Sequence, residues 1–97
     1  MAQKEETIKA LLKKANSLPL TPGVYLMKDK NNKVIYVGKS RKLKQRVSQY
    51  FQNSQKNYKT LKMVDLVCDF DYYICTTEIE ALSLENTLIK QYAQNTI

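Results

Sequence analysis

Between positions 23 and 46 the sequence gathers side chains able to do chemistry: Gly23-Val-Tyr25, ten residues, Tyr36-Val-Gly38, and then Lys39-Ser-Arg-Lys-Leu-Lys-Gln-Arg46. Lys39, Arg41, Lys42, Lys44 and Arg46 crowd one strand end and the helix after it, a placement that can follow a phosphate backbone. The chain carries 16 basic and 9 acidic residues, a net charge of +7, which suits a polyanionic partner. A solvated lysine-rich surface is the plain alternative. There is no histidine, which excludes Ser-His-Asp triads, His-ligated metal nucleases and histidine as a general base. Any hydrolysis must therefore rely on Tyr, Lys, Asp or Glu with a hard cation.

The acid that stands out is Glu85. Thr77-Glu-Ile-Glu80 has the spacing of a capping box, which predicts a helix from there to about Tyr92. On that helix Ala81, Leu82, Leu88, Ile89 and Tyr92 form an apolar stripe with Glu85 in its middle. A carboxylate on a buried face is costly unless it is paired or ligates a cation. Its partner is either Arg46 or Lys39 in a structural ion pair, or a divalent metal. Asp69 and Asp71 offer two more carboxylates but read as solvent-facing residues at a strand start.

Short elements must position these groups. Ile8, Leu11, Leu12 and Ala15 keep helical spacing and predict an amphipathic helix over residues 3–15, broken by Asn16, Ser17 and Pro19. Pro19 to Pro22 hold an extended lead into a hairpin of strands 24–28 and 34–38, turned by Asp29-Lys-Asn-Asn-Lys33. Pairing Lys28 with Lys33 sets Tyr25 and Tyr36 opposite on one face, and one residue of slip separates them; the register is not legible. Ser40 reads as the N-cap of a helix that presents Leu43, Val47, Tyr50 and Phe51 on one face, with Arg46 at its edge. Residues 52–57 read as a loop, 58–67 as a helix with Leu61, Met63, Val64 and Val67, and 70–76 as a third strand beside the hairpin.

The result is an α+β fold, a small three-stranded antiparallel sheet flanked by helices, in a single domain over residues 1–97 with a helical extension at 1–17 and a core at 18–92. Cys68 and Cys75 lack any metal or redox spacing and read as reduced core thiols. No apolar run approaches the ~20 residues of a membrane span and no signal peptide is visible, so the expectation is a soluble, cytoplasmic protein with no membrane partner.

Gly23-Val24-Tyr25 and Tyr36-Val37-Gly38, followed by Arg46 and Glu85, resemble the GIY-YIG nuclease domain, with Val in place of Ile in both triplets. Pro22-Gly-Val-Tyr25, Val34-Ile-Tyr-Val-Gly-Lys39 and Ala81-Leu-Ser-Leu-Glu-Asn86 are most similar to the N-terminal domain of the UvrC-type repair endonucleases, over about residues 18–92. The resemblance implies metal-dependent cleavage of a DNA phosphodiester, the 3′ incision of nucleotide excision repair. It makes Tyr36 the general base, Tyr25 its orienting partner and Arg46 the contact to the scissile phosphate. It further makes Tyr50 a site tyrosine and Glu85 the single protein ligand of one Mg²⁺ or Mn²⁺, while Lys39 supplies positive charge beside the phenol. Gly23 and Gly38 belong to the motif as backbone positions. The implied partners are damaged duplex DNA, UvrA and UvrB, and further domains of a longer protein. The family's Pro-containing segment and asparagine after the last helix are not matched; Asn95 stands nearest to that role. The alternatives are a GIY-YIG nuclease of a homing or recombination branch, and a non-catalytic nucleic-acid-binding module with this fold.

Overall fold

Three strands, β1 (Gly23–Lys28), β2 (Val34–Ser40) and β3 (Asp69–Ile74), form an antiparallel sheet in the order β2-β1-β3 in the computed structural model, which describes residues 2–52 and 56–92. Four helices complete it: α1 (Ala2–Asn16), α2 (Leu43–Phe51), α3 (Tyr58–Leu66) and α4 (Glu78–Tyr92). The α+β architecture and the third strand beside the hairpin are as the sequence led us to expect. The residue Asn95 and the loop positions 53–55 lie outside the described residues.

The hairpin turn is held by Asp29, whose Oδ1 accepts the backbone N–H groups of Asn31 and Lys33 at 2.9 and 3.0 Å. Asn32 takes the left-handed conformation at φ 65°, a region asparagine tolerates. Beyond the turn Lys28 pairs with Val34, one residue off the register that would place the two tyrosines opposite each other. The next pair is Met27 with Tyr36, so Ile35 is an extra residue in β2. This bulge adds a second unit of offset and restores the parity of the pleat. Tyr25 then faces Gly38, and Tyr36 lies diagonally across from Tyr25 on the same sheet face.

That face, with Tyr25, Met27, Ile35 and Phe70, packs under Leu11 and Ala15 of α1, Leu43, Val47 and Phe51 of α2, and Met63 of α3. Phe51 and Phe70 stack with ring centroids 5.9 Å apart. Lys14 fastens α1 to β3: its ammonium donates to Asp69 Oδ1 at 2.9 Å and to the Phe70 carbonyl at 2.6 Å. The opposite face carries Val24, Leu26, Val34 and Val37 and is covered by Ala81 and Leu88 of α4.

Four local expectations change. β2 does not stop at Gly38, because Lys39 and Ser40 continue the ladder against Val24 and Gly23. Ser40 is consequently not the N-cap of α2. It accepts the Lys42 N–H in the connecting turn, and the unpaired N–H groups of Leu43 and Lys44 are satisfied by the carbonyls of Thr21 and Pro19 at 2.9 and 3.1 Å. The packed line on α4 runs through Ala81, Leu84 and Leu88, whereas Leu82 and Ile89 are 45% and 41% exposed. Glu85 therefore sits half-buried beside that line rather than at the centre of a buried stripe. Cys75 is a buried free thiol, but Cys68 is exposed, at the residue between α3 and β3 where its N–H bonds the Lys28 carbonyl.

Gly23 is a packing requirement. A Cβ there would strike the Leu43 side chain and the Tyr73 carbonyl, and the backbone cannot give way without loosening the ladder. Gly23→Ala is expected to cost about 1–3 kcal/mol, the range for overpacking a core. Urea melts with an unchanged m-value check this, and a loss under about 0.5 kcal/mol would show that α2 does not depend on the close approach.

Candidate active site

Tyr25 is only 2% exposed, and its ring lies across Gly38 of the neighbouring strand. A Cβ at Gly38 would stand 2.5 Å from the Tyr25 hydroxyl and 2.9 Å from Tyr36 Cε2, so the glycine makes the space in which the two rings meet. Their centroids are 6.1 Å apart, and Tyr50, reaching down from α2, places its ring 5.7 Å from Tyr25. The Tyr25 and Tyr50 hydroxyls hydrogen-bond at 2.7 Å. A buried phenol without a partner would lose the hydration of its hydroxyl, and this pair supplies the replacement.

The cluster is electrically uneven. Burial lifts the Tyr25 phenol far above its ordinary value; Tyr50, by charge and by its hydrogen bond, and then Tyr36 push the same way, and the Arg46 charge offsets little of it. Tyr50 is also raised by burial, with Tyr36 adding to the effect and the Tyr25 hydrogen bond and Arg46 opposing it. Tyr25 is thus a neutral phenol at any physiological pH, suited to orient and not to take a proton. Tyr36 is half-buried, beside Tyr50, at the open side of the cluster.

Outside the tyrosines runs a cleft of about 540 Å³ between α2 and the start of α4, over the end of β2. Lys39, Arg41, Lys42 and Arg46 line it, together with Gln45, Gln49, Glu78 and Ala81. A second cleft of about 500 Å³ adjoins it, bounded by Arg46, Gln49, Tyr50, Lys56, Asn57 and Thr60. Arg46 and Gln49 stand on the ridge between the two. Four of the five predicted DNA-contacting cations are brought together. Lys44 is not: it sits half-buried away from the cleft, next to the Pro19 carbonyl that its backbone bonds. Sequence reasoning passed over Gln45 and Gln49, although 42, 45, 46 and 49 keep the spacing of a polar helical face. Glu78 carried no local signal at all.

The donor set for a metal is small. Among the described residues no group of three His, Cys, Asp or Glu side chains gathers to hold a metal ion. Asp69 and Asp71 are paired with Lys14 and Lys28 at 2.9 and 3.0 Å. Glu85 has no salt bridge among the described residues, so neither Arg46 nor Lys39 takes the structural role open to it. It lies one turn beyond Ala81, which lines the cleft. A lone half-buried carboxylate at such a place fits a hard cation that keeps most of its coordination for water and phosphate oxygen.

Residues 21–95 match the UvrC-like GIY-YIG domain. The chain belongs to the UvrC-like GIY-YIG family. Among curated relatives, the UvrABC system protein C of Caldicellulosiruptor saccharolyticus is 57% identical over 82 residues, and that of Methanosarcina barkeri is 49% identical over 76. These alignments cover 84% and 78% of this chain but 14% and 15% of the relatives, so the chain spans about a seventh of their length. The GIY-YIG N-terminal endonuclease domain of UvrC from Thermotoga maritima, bound to its catalytic magnesium, superposes with a TM-score of 0.78 at 30% identity, covering 88% of this chain and 92% of that one. Variants of that domain at three tyrosines and one asparagine also carry the catalytic cation. The match places this GIY-YIG domain with the repair branch rather than with homing or recombination enzymes.

The Tyr25 phenol makes a test of the site's electrostatics. Because its folded value is raised above the ordinary value near 10, its contribution to stability is complete below about pH 10 and is lost as the pH climbs further toward the folded value. Wild type is expected to lose up to ~1.4 kcal/mol more per pH unit than Tyr25→Phe above about pH 10. Thermal melts of both proteins at about pH 9 and pH 11 measure the difference. Parallel alkaline losses would show that Tyr25 is not buried as a neutral phenol.

Proposed function

We propose that this GIY-YIG domain is a magnesium-dependent DNA endonuclease module that makes the 3′ incision of nucleotide excision repair. In this reading it acts within a longer UvrC-type protein and cuts damaged duplex DNA delivered by UvrA and UvrB. The observation that carries the proposal is the meeting of the tyrosine cluster with Arg46 at a cationic cleft that α4 borders with Glu85 one turn away.

The chain's own residues divide the work. Lys39, Lys42 and Arg46 hold the DNA backbone by charge, and the Arg46 fork faces the scissile phosphate, where it neutralises charge that grows in the transition state. Tyr25, locked neutral under Tyr50, fixes the position of the Tyr36 ring across Gly38. Tyr36, at the open side of the cluster, holds the proton taken from the attacking water, and the cations around it favour the phenolate. Glu85 would hold Mg²⁺, which when bound supplies Lewis-acid stabilisation of the phosphate and its leaving oxygen. No residue here can act as an imidazole base, which gives the phenol its place in the scheme.

Single-turnover incision of a lesion-bearing duplex by the full-length protein with its loading partners tests this. Tyr36→Phe is expected to fold normally and to lose roughly 10²–10⁴-fold in rate, the range for a missing general base. A rate within about threefold of wild type would remove Tyr36 from the proton transfer. Glu85→Gln is expected to abolish metal-dependent cutting while leaving the melting curve in metal-free buffer in place. A stability loss of about 3–5 kcal/mol there would mean that Glu85 neutralises a protein cation instead.

A further inference from the structure

Of the residues that line the cationic cleft, Glu78 is the one acid, and it is engaged with Arg41. The Arg41 Nε and Glu78 Oε1 are 2.7 Å apart, joining the turn after β2 to the first turn of α4 across the cleft. Both side chains stand well out in water, 83% and 61% exposed. Exposed pairs of this kind hold weakly and exchange partners readily. A phosphate oxygen competes for the same guanidinium with the same geometry as a carboxylate, and it releases condensed counterions when it wins. Glu78 itself gains from the N-terminus of α4, so it remains settled when Arg41 leaves it.

We infer that Glu78 is a built-in competitor of the DNA backbone: it occupies Arg41 in the free domain, and a phosphate entering the cleft takes its place. The pair lowers the affinity of the domain for backbone that merely drifts past, and yields when DNA is held in the cleft. This rests on the nucleic-acid reading of the cleft proposed above. It separates Arg41 from Lys39, Lys42 and Arg46, for which no ion pair forms among the described residues.

Fluorescence anisotropy with a labelled duplex across a range of salt concentrations reads the exchange directly. Glu78→Gln is expected to tighten binding about two- to fivefold at low salt and to steepen the log–log salt slope by roughly 0.7–0.9, one additional phosphate contact. In an Arg41→Gln background the same change is expected to alter affinity by less than about 1.5-fold, because the cation it would free is gone. Glu80→Gln is the control for the general field. Glu80 lies in the same turn of α4 but accepts from Thr76 at 2.8 Å and does not line the cleft. An equal gain from Glu78→Gln with Arg41 absent, or from Glu80→Gln, overturns the inference, as does a Glu78→Gln variant that binds no better than wild type. Should wild type itself bind without salt dependence, the nucleic-acid reading of the cleft fails and this inference falls with it.

Discussion

The site depends on a parity constraint. Side chains alternate along a strand, so two tyrosines on paired antiparallel strands share a face only if the offset between their partners is even. The hairpin turn leaves Lys28 opposite Val34, which is the wrong parity, and the bulge at Ile35 corrects it. The correction sends Ile35 and Tyr36 to one face in succession: Ile35 into the core with Met27, Tyr36 to the rim beside Tyr25. Gly38 follows from the same offset. Once Tyr25 is opposite residue 38, any side chain there would occupy the volume of the phenol ring. Motif glycine and motif tyrosine are thus one packing unit.

A second consequence is the division between neutral and charged halves of the site. The Tyr25 hydroxyl is deep enough that an ionised form would be poorly solvated, and its bond to Tyr50 keeps it in place as a neutral group. All of the formal charge lies outward, on Lys39, Arg41, Lys42 and Arg46 around the cleft. A phenol that must act as a base is best placed between these regions, with its ring held by packing and its oxygen within the field of the cations. Tyr36 is the tyrosine in that position. The absence of histidine makes the arrangement necessary, because no other side chain near the cleft has an ordinary proton affinity suited to the task.

Much of this was legible in the sequence, and what was not has identifiable causes. The helices, the hairpin and the third strand follow from apolar spacing and from Pro, Asn and Asp at the turns. Ser40 misled because a good cap residue in the right place is outweighed by two more ladder pairs, Lys39 with Val24 and Ser40 with Gly23. Two backbone carbonyls, from Thr21 and Pro19, then do the work of a cap, and no local pattern announces a partner that far back. On α4 both Leu82 and Leu84 were available to face the sheet, and only the packing against Val24 and Leu26 chooses Leu84. The register was undecided because a bulge is a property of two strands together. Arg46 and Glu85 were visible through the family resemblance, whereas the Arg41–Glu78 pair joins residues 37 positions apart with nothing in either neighbourhood to connect them.

The location of the cleft also has a structural reason. β2 is an edge strand, and an exposed edge is a template for unwanted pairing unless it is bent, charged or covered. Here it is all three: the Ile35 bulge twists it, Lys39 charges its end, and α2 and α4 approach it from opposite faces of the sheet. Two helices arriving from opposite faces cannot close over an edge as they close over a sheet, so a groove remains between them, floored by the end of β2 and walled by helix polar faces. The features that keep the edge from pairing with another chain are therefore those that leave a charged groove beside Tyr36. Placing the reacting groups there leaves both hydrophobic cores intact, because Lys39 and Arg46 project from elements whose other faces are already buried.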